Sequence, residues 1–150
     1  MEQNHGREML RALIRRYRQT AGAYRPVIDA TEFGEIRSRL ISFRGDHLRH
    51  ATELSATLPE LAGPELPPGL EAGAAEAVAE VDLDFDLGRA LIDLREREHA
   101  LLADNATLRE RDLPLAVHTL LAQHSDDLCR HLRYLDQQLT DKIWERRQAG

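Results

Sequence analysis

His47, His50, Glu98, His124 and His131 stand at positions where a helical chain of this composition would ordinarily place leucine. Each interrupts an apolar stripe whose other members are mostly aliphatic. An imidazole or carboxylate taken out of water without a partner costs several kcal/mol. These groups must therefore bond one another, hold water or bind a cation. Imidazole and carboxylate groups inside a helical bundle form a usable ligand set for iron, manganese or zinc. His47 and His50 are three residues apart and share a helix face, and Glu53 follows one turn later. Asp127 and His131 are four apart. Glu96 and His99 have Glu-x-x-His spacing but fall beside the stripe. Tyr17 and Tyr24 lie in the stripe of the first segment, where core rings with hydroxyls bonded to the polar layer are expected. His5 and His118 are expected to face solvent.

The elements that must position these groups are helices. Four segments carry helical periodicity and none alternates like a strand. The first, about 6–29, places Leu10, Ile14, Tyr17, Ala21, Tyr24 and Ile28 on one face. The second, about 33–61, does so with Ile36, Leu40, Phe43, His47, His50 and Leu54. The third, about 84–108, uses Leu87, Leu91, Leu94, Glu98, Leu101, Asn105 and Leu108. The fourth, about 114–146, uses Val117, Leu121, His124, Leu128, His131 and Leu135. Thr31 is the expected cap of the second helix, Asp82 or Asp84 of the third, and Asp112 of the fourth, where Pro114 suits the first turn.

The connections predict the topology. The first and third are a few residues long, which makes helices 1–2 and 3–4 antiparallel neighbours. Residues 62–82 contain Gly63, Pro64, Pro67, Pro68 and Gly69, which break any helix. Within them Leu70 to Val81 is Ala- and Glu-rich, with the composition of a short helix. At about 3.3 Å per extended residue this linker is long enough to cross the bundle, so helix 3 can run parallel to helix 2. The predicted fold is a single all-α domain over residues 1–150, an antiparallel four-helix bundle with a long crossover between helices 2 and 3. Tyr17, His47, Glu98 and His124 are expected at one level in it.

Composition bounds the function. The 150 residues are 42% hydrophobic and 31% charged with only 5% aromatics, so the core must be mainly Leu, Ile, Ala and Val. A net charge of −6 argues against nucleic acid as a partner, which needs a basic face to neutralise phosphates. No apolar run approaches the length of a membrane span and no apolar signal core opens the chain, so a cytoplasmic protein is expected. The lone Cys129 excludes an internal disulfide and is expected to be a half-buried small apolar residue. Trp144 is expected to pack at the bundle end. The sequence contains no phosphate loop, nucleophile elbow or His-Glu-x-x-His.

The segments Phe43-Arg44-Gly45-Asp46-His47-Leu48-Arg49-His50-Ala51-Thr52-Glu53-Leu54, Leu94-Arg95-Glu96-Arg97-Glu98-His99 and Asp126-Asp127-Leu128-Cys129-Arg130-His131-Leu132 resemble the ferritin-like superfamily. The nearest branch is its small rubrerythrin-like, uncharacterised bacterial bundles, and the overlay spans about residues 9–140. The resemblance implies a carboxylate-bridged di-iron centre, iron handling or oxidative-stress chemistry, and side-by-side homodimers. His50, Glu98 and His131 match the family's ligand positions. The other carboxylate positions hold Tyr17, His47 and Leu128, so the resemblance implies a His-rich, carboxylate-poor site. The metal ligands expected are His47, His50, Glu98, His124 and His131, supported by Tyr17, Glu53 and Asp127. Two other readings stay open. One is a metal-free bundle serving as a structural or interaction module, with Glu98 bonded by histidine or tyrosine. The other is a haem held by two histidines from facing helices.

Overall fold

The four apolar stripes bury themselves in full: every stripe residue named above is inaccessible or nearly so. They build four long helices. These are α1 (Glu2–Ala30), α2 (Gly34–Ser55), α3 (Leu87–Arg109) and α4 (Leu115–Asp141), followed by a one-and-a-half-turn α5 (Ile143–Gln148). The computed structural model describes residues 2–58 and 85–148. The expected linker at 62–82, the short helix within it and the caps Asp82 and Asp84 lie outside the described residues.

Three capping expectations need correction. Thr31 does not cap α2; its hydroxyl turns back and donates to the Val27 carbonyl, closing α1 instead. Phe33 is the N-cap of α2, with extended backbone and no side-chain capping hydrogen bond. Asp112 does not cap α4 either, because the helix begins beyond Pro114, whose carbonyl accepts the first turn's amides from Val117 and His118. At α3 it is Asp86 whose carboxylate accepts the Arg89 amide at 3.2 Å. The fourth helix also does not run unbroken to residue 146. Lys142 adopts left-handed backbone (φ 46°), its amide bonds the Gln138 carbonyl, and the chain turns into α5. That turn folds the buried Trp144 onto the start of α3 beside Gly88.

The helices pack as two hairpins, α1 with α2 and α3 with α4, which close on each other through α1 against α3 and α2 against α4. Two apolar layers make the core. One unites Leu10 and Ile14 of α1, Leu54 of α2, Leu108 of α3 and Val117 and Leu121 of α4. The other unites Ile28 of α1, Ile36 and Leu40 of α2, Leu87 and Leu91 of α3, and Leu135 and Trp144. The first layer therefore joins the start of α1 and α4 to the end of α2 and α3. It follows that α2 and α3 run in the same direction, opposite to α1 and α4. The buried histidines and Glu98 lie between the two layers. Among the described residues no helix is long and apolar enough to cross a membrane.

Because Leu40 and Leu121 are fully buried in opposite layers, Leu40→Ala and Leu121→Ala should each cost about 2–5 kcal/mol through lost transfer energy and a cavity. Leu115 is 81% exposed, and Leu115→Ala should cost less than about 0.5 kcal/mol. Urea unfolding followed by circular dichroism measures all three.

Candidate metal centre between the apolar layers

Glu98 lies on the buried stripe of α3, with apolar turns above and below it, and is inaccessible to solvent. Three other helices send donors to it. Tyr24 of α1 donates its hydroxyl to Glu98 Oε1. His47 of α2 donates Nε2–H to the same oxygen over 2.6 Å. His131 of α4 presents Nδ1 at 3.3 Å from Oε2. His131 then reaches outward, its Nε2 lying 2.8 Å from Asp46 Oδ2. Phe43 stacks on the His131 ring at 4.1 Å and holds its orientation.

The electrostatics follow from this bonding. Burial opposes ionisation of Glu98, but the hydrogen bonds and charges of His131 and His47 outweigh it and lower its pKa from 4.5 to about 2. Glu98 is therefore a buried carboxylate. Burial also disfavours the charged form of His131, yet Glu98 on one ring nitrogen and Asp46 on the other raise its pKa. Burial pushes the Tyr24 hydroxyl well above its ordinary value, and the adjacent Glu98 charge adds to that. Tyr24 stays a phenol and a donor.

About one turn away along α2 and two along α4, a second polar group surrounds Tyr17. His50 and His124 stack there with ring centroids 4.0 Å apart. Tyr17 stands edge-on to both, at 5.0 and 6.0 Å, and is tilted against His47 at 5.8 Å. His50 Nε2 lies 2.8 Å from Asp127 Oδ2, and His124 Nε2 lies 3.2 Å from Glu53 Oε1. Burial and the neighbouring His124 lower the His50 pKa to about 3; burial lowers that of His124 as well. Burial opposes ionisation of Asp127, but bonds from His50 and Arg130 dominate and lower its pKa to about 2.

The predicted residues thus separate into two constellations rather than one. Tyr17, His47, Glu98 and His124 do not share one level. The register of α4 brings His131 to Glu98, and His124, two turns earlier, falls beside Tyr17 and His50. Among the described residues His47, Glu98 and His131 alone form a group of metal-ligating types whose donor atoms all lie within 4.8 Å of one another. Glu96 and His99 face solvent, and His5 is exposed while His118 is half-buried. Cys129 is exposed, not half-buried, because it follows the inward-facing Leu128 by one residue and so turns about 100° away from the stripe.

Asp46, which the sequence reading passed over, is the partner of His131, and its mirror is Asp127 on His50. A signal was present. Asp46-His47-Leu48-Arg49-His50 and Asp127-Leu128-Cys129-Arg130-His131 share the spacing Asp-x-x-Arg-His, and each aspartate serves the histidine of the other motif. Arg49 bonds both aspartates, at 3.3 and 2.9 Å, across the outer face of α2 and α4.

The signs of the pH dependence are set by these shifts. His50, with its folded pKa depressed, contributes stability that is present above pH 6.5 and lost as pH falls towards 3; Glu98 loses its contribution between pH 4.5 and 2. His131, with its folded pKa raised, acts oppositely and loses its contribution as pH rises through that value. Urea unfolding with chelator present should therefore show stability falling from pH 7 to pH 4, and His50→Gln should flatten that fall. No protein-family model matches the chain, no curated protein matches it, and no solved structure matches it.

Proposed function

We propose that this chain is a metal-binding protein of ferritin-like architecture whose primary site is mononuclear. Its ligands are His47, Glu98 and His131. The observation that carries the reading is the convergence of two imidazoles and one carboxylate, from three helices, in a fully buried interior. Donors 2.0–2.2 Å from one ion lie at most about 4.4 Å apart, so the observed 4.8 Å limit requires only small side-chain adjustments. His131 also has the outer partner that metal-bound imidazoles commonly have, a carboxylate on its second nitrogen. Two histidines and one carboxylate suit ferrous iron, manganese or zinc. The common direction of α2 and α3 agrees with a one-crossover bundle.

In such a site an iron ion would supply redox chemistry with oxygen or peroxide, which is the basis for proposing iron handling or oxidative-stress chemistry. The chain's own residues do the rest. Tyr24 donates to Glu98 and biases which carboxylate oxygen faces His131. Asp46 orients the His131 ring and offsets its charge. The two apolar layers exclude water from above and below.

One observation favours a second reading, a metal-free bundle acting as a structural or interaction module. Tyr24, His47 and His131 already provide Glu98 with three partners. A network satisfied in this way is stable without an ion.

The two readings differ in the response to Glu98→Gln. Protein stripped of metal is titrated with ferrous iron, manganese and zinc, and thermal unfolding is followed at each addition. A metal site predicts a Tm that climbs with added ion in wild type and stays flat in Glu98→Gln. Wild-type protein that neither retains nor responds to any of the three ions refutes the metal reading. Glu98→Ala should cost about 3–5 kcal/mol in metal-free protein, since it removes the shared acceptor of three buried groups.

A further inference from the structure

An ion held by His47, Glu98 and His131 is enclosed, because all three side chains are inaccessible to solvent. It needs a way in, and the hydrogen bonds show where the enclosure touches the outside. Among the described residues, His131 is the one ligand of the three bonded to an accessible group. Its Nε2 lies 2.8 Å from Oδ2 of Asp46, whose side chain is 24% exposed. The other bonds of the three run inward, to one another and to the buried Tyr24.

Asp46 and His131 meet across the seam between α2 and α4. This is the most thinly packed of the four seams of the bundle, and its middle is polar. Four polar contacts cross it there, each through a carboxylate: Asp46 with His131, Asp127 with His50 and with Arg49, and Glu53 with His124. Phe43 covers one face of the His131 ring at 4.1 Å and closes that flank. On the outer side lies Arg49, half in solvent, which bonds Asp46 at 3.3 Å within α2 and reaches Asp127 of α4 at 2.9 Å. We infer that the α2–α4 seam is the route by which the metal ion enters and leaves the Glu98 centre. Asp46 is the first carboxylate the ion meets, and Arg49 is the latch that holds the route shut. The inference rests on the Glu98 centre proposed above.

The chemistry of the seam fits that task. A divalent ion passes into a protein only where polar groups replace the water it leaves behind. Here Asp46 stands outside and Glu98 inside, with the His131 imidazole between them. Among the described residues the other seams offer the centre no such carboxylate. Their polar contacts, Arg18 with Ser55, Arg16 with Asp104 and Arg95 with Asp136, touch none of the three ligands. Parting the seam breaks the bond from Arg49 to Asp127 while the two apolar layers stay closed. Exposed ion pairs are individually weak, so the latch changes rates several-fold rather than by orders of magnitude. Arg49 also repels an approaching cation by its charge alone. Arg130 separates the two effects, because it bonds Asp127 from the same helix and spans no seam.

The test is the kinetics of zinc exchange. Chelator-stripped protein is mixed with Zn²⁺ in a stopped-flow instrument, and uptake is followed with a chromogenic zinc indicator. Loaded protein is then mixed with excess chelator, and release is timed. Wild type, Arg49→Gln and Arg130→Gln are compared at equal zinc content. Arg49→Gln should take up and release zinc about three- to tenfold faster than wild type while binding the same number of ions per chain. Arg130→Gln, which removes the same charge from the same face, should release zinc at the wild-type rate. If Arg49→Gln releases zinc no faster than wild type, or Arg130→Gln releases it as fast as Arg49→Gln, the latch is overturned and the Glu98 centre stands. If wild type binds no zinc, the centre fails as a zinc site and the route falls with it.

Discussion

A carboxylate in the middle of an apolar bundle must be neutralised from all sides, and Glu98 is answered from each of the other three long helices. Tyr24 and His47 donate to one oxygen and His131 faces the other. Removing any one of these donors leaves a charge with less compensation in a medium that screens poorly. The depressed pKa of Glu98, despite full burial, measures how completely that compensation succeeds. Such a requirement is directional, unlike apolar packing, and it ties the register of α1, α2 and α4 to one residue of α3.

The apolar layers set the conditions for that chemistry. Leucine-rich contacts at either end hold the helices together without specifying their sliding or rotation closely, since aliphatic side chains tolerate repacking. The polar middle adds the missing specificity at the expense of desolvation. It also divides the core into two layers, with the buried middle reaching solvent through half-buried carboxylates. Asp46, Asp127 and Glu53 all belong to α2 and α4. The interior is thus electrically coupled to one face of the bundle, where Arg49 bridges Asp46 and Asp127.

The pairing of the two Asp-x-x-Arg-His motifs gives that face an approximate two-fold character. Asp46 of α2 serves His131 of α4, and Asp127 of α4 serves His50 of α2. The interiors on the two sides differ. Beside His131 stand Glu98 and a bonded Tyr24, and beside His50 stand Tyr17 and His124 with unpartnered atoms. Matched outer supports therefore carry two chemically distinct polar groups, one built around the Glu98 carboxylate and the other around imidazole and phenol rings.

Much of this was legible in the residues alone. The spacing of Leu10 to Ile28, Ile36 to Leu54, Leu87 to Leu108 and Val117 to Leu135 determined the helices, their inward faces and the burial of the five polar interrupters, because a 3.6-residue period leaves one face for the core. Helix ends were less legible. Thr31 and Asp112 are good caps by type, but a cap depends on backbone geometry within one residue, which Phe33 and Pro114 occupy instead. Which polar groups meet was decided only by the tertiary structure. Glu98 to His131, rather than to His124, depends on the longitudinal offset between antiparallel helices, and a slip of two turns, about 10.8 Å, exchanges one partner for the other. Periodicity along a single helix contains no information about that offset; the packing of both apolar layers at once does.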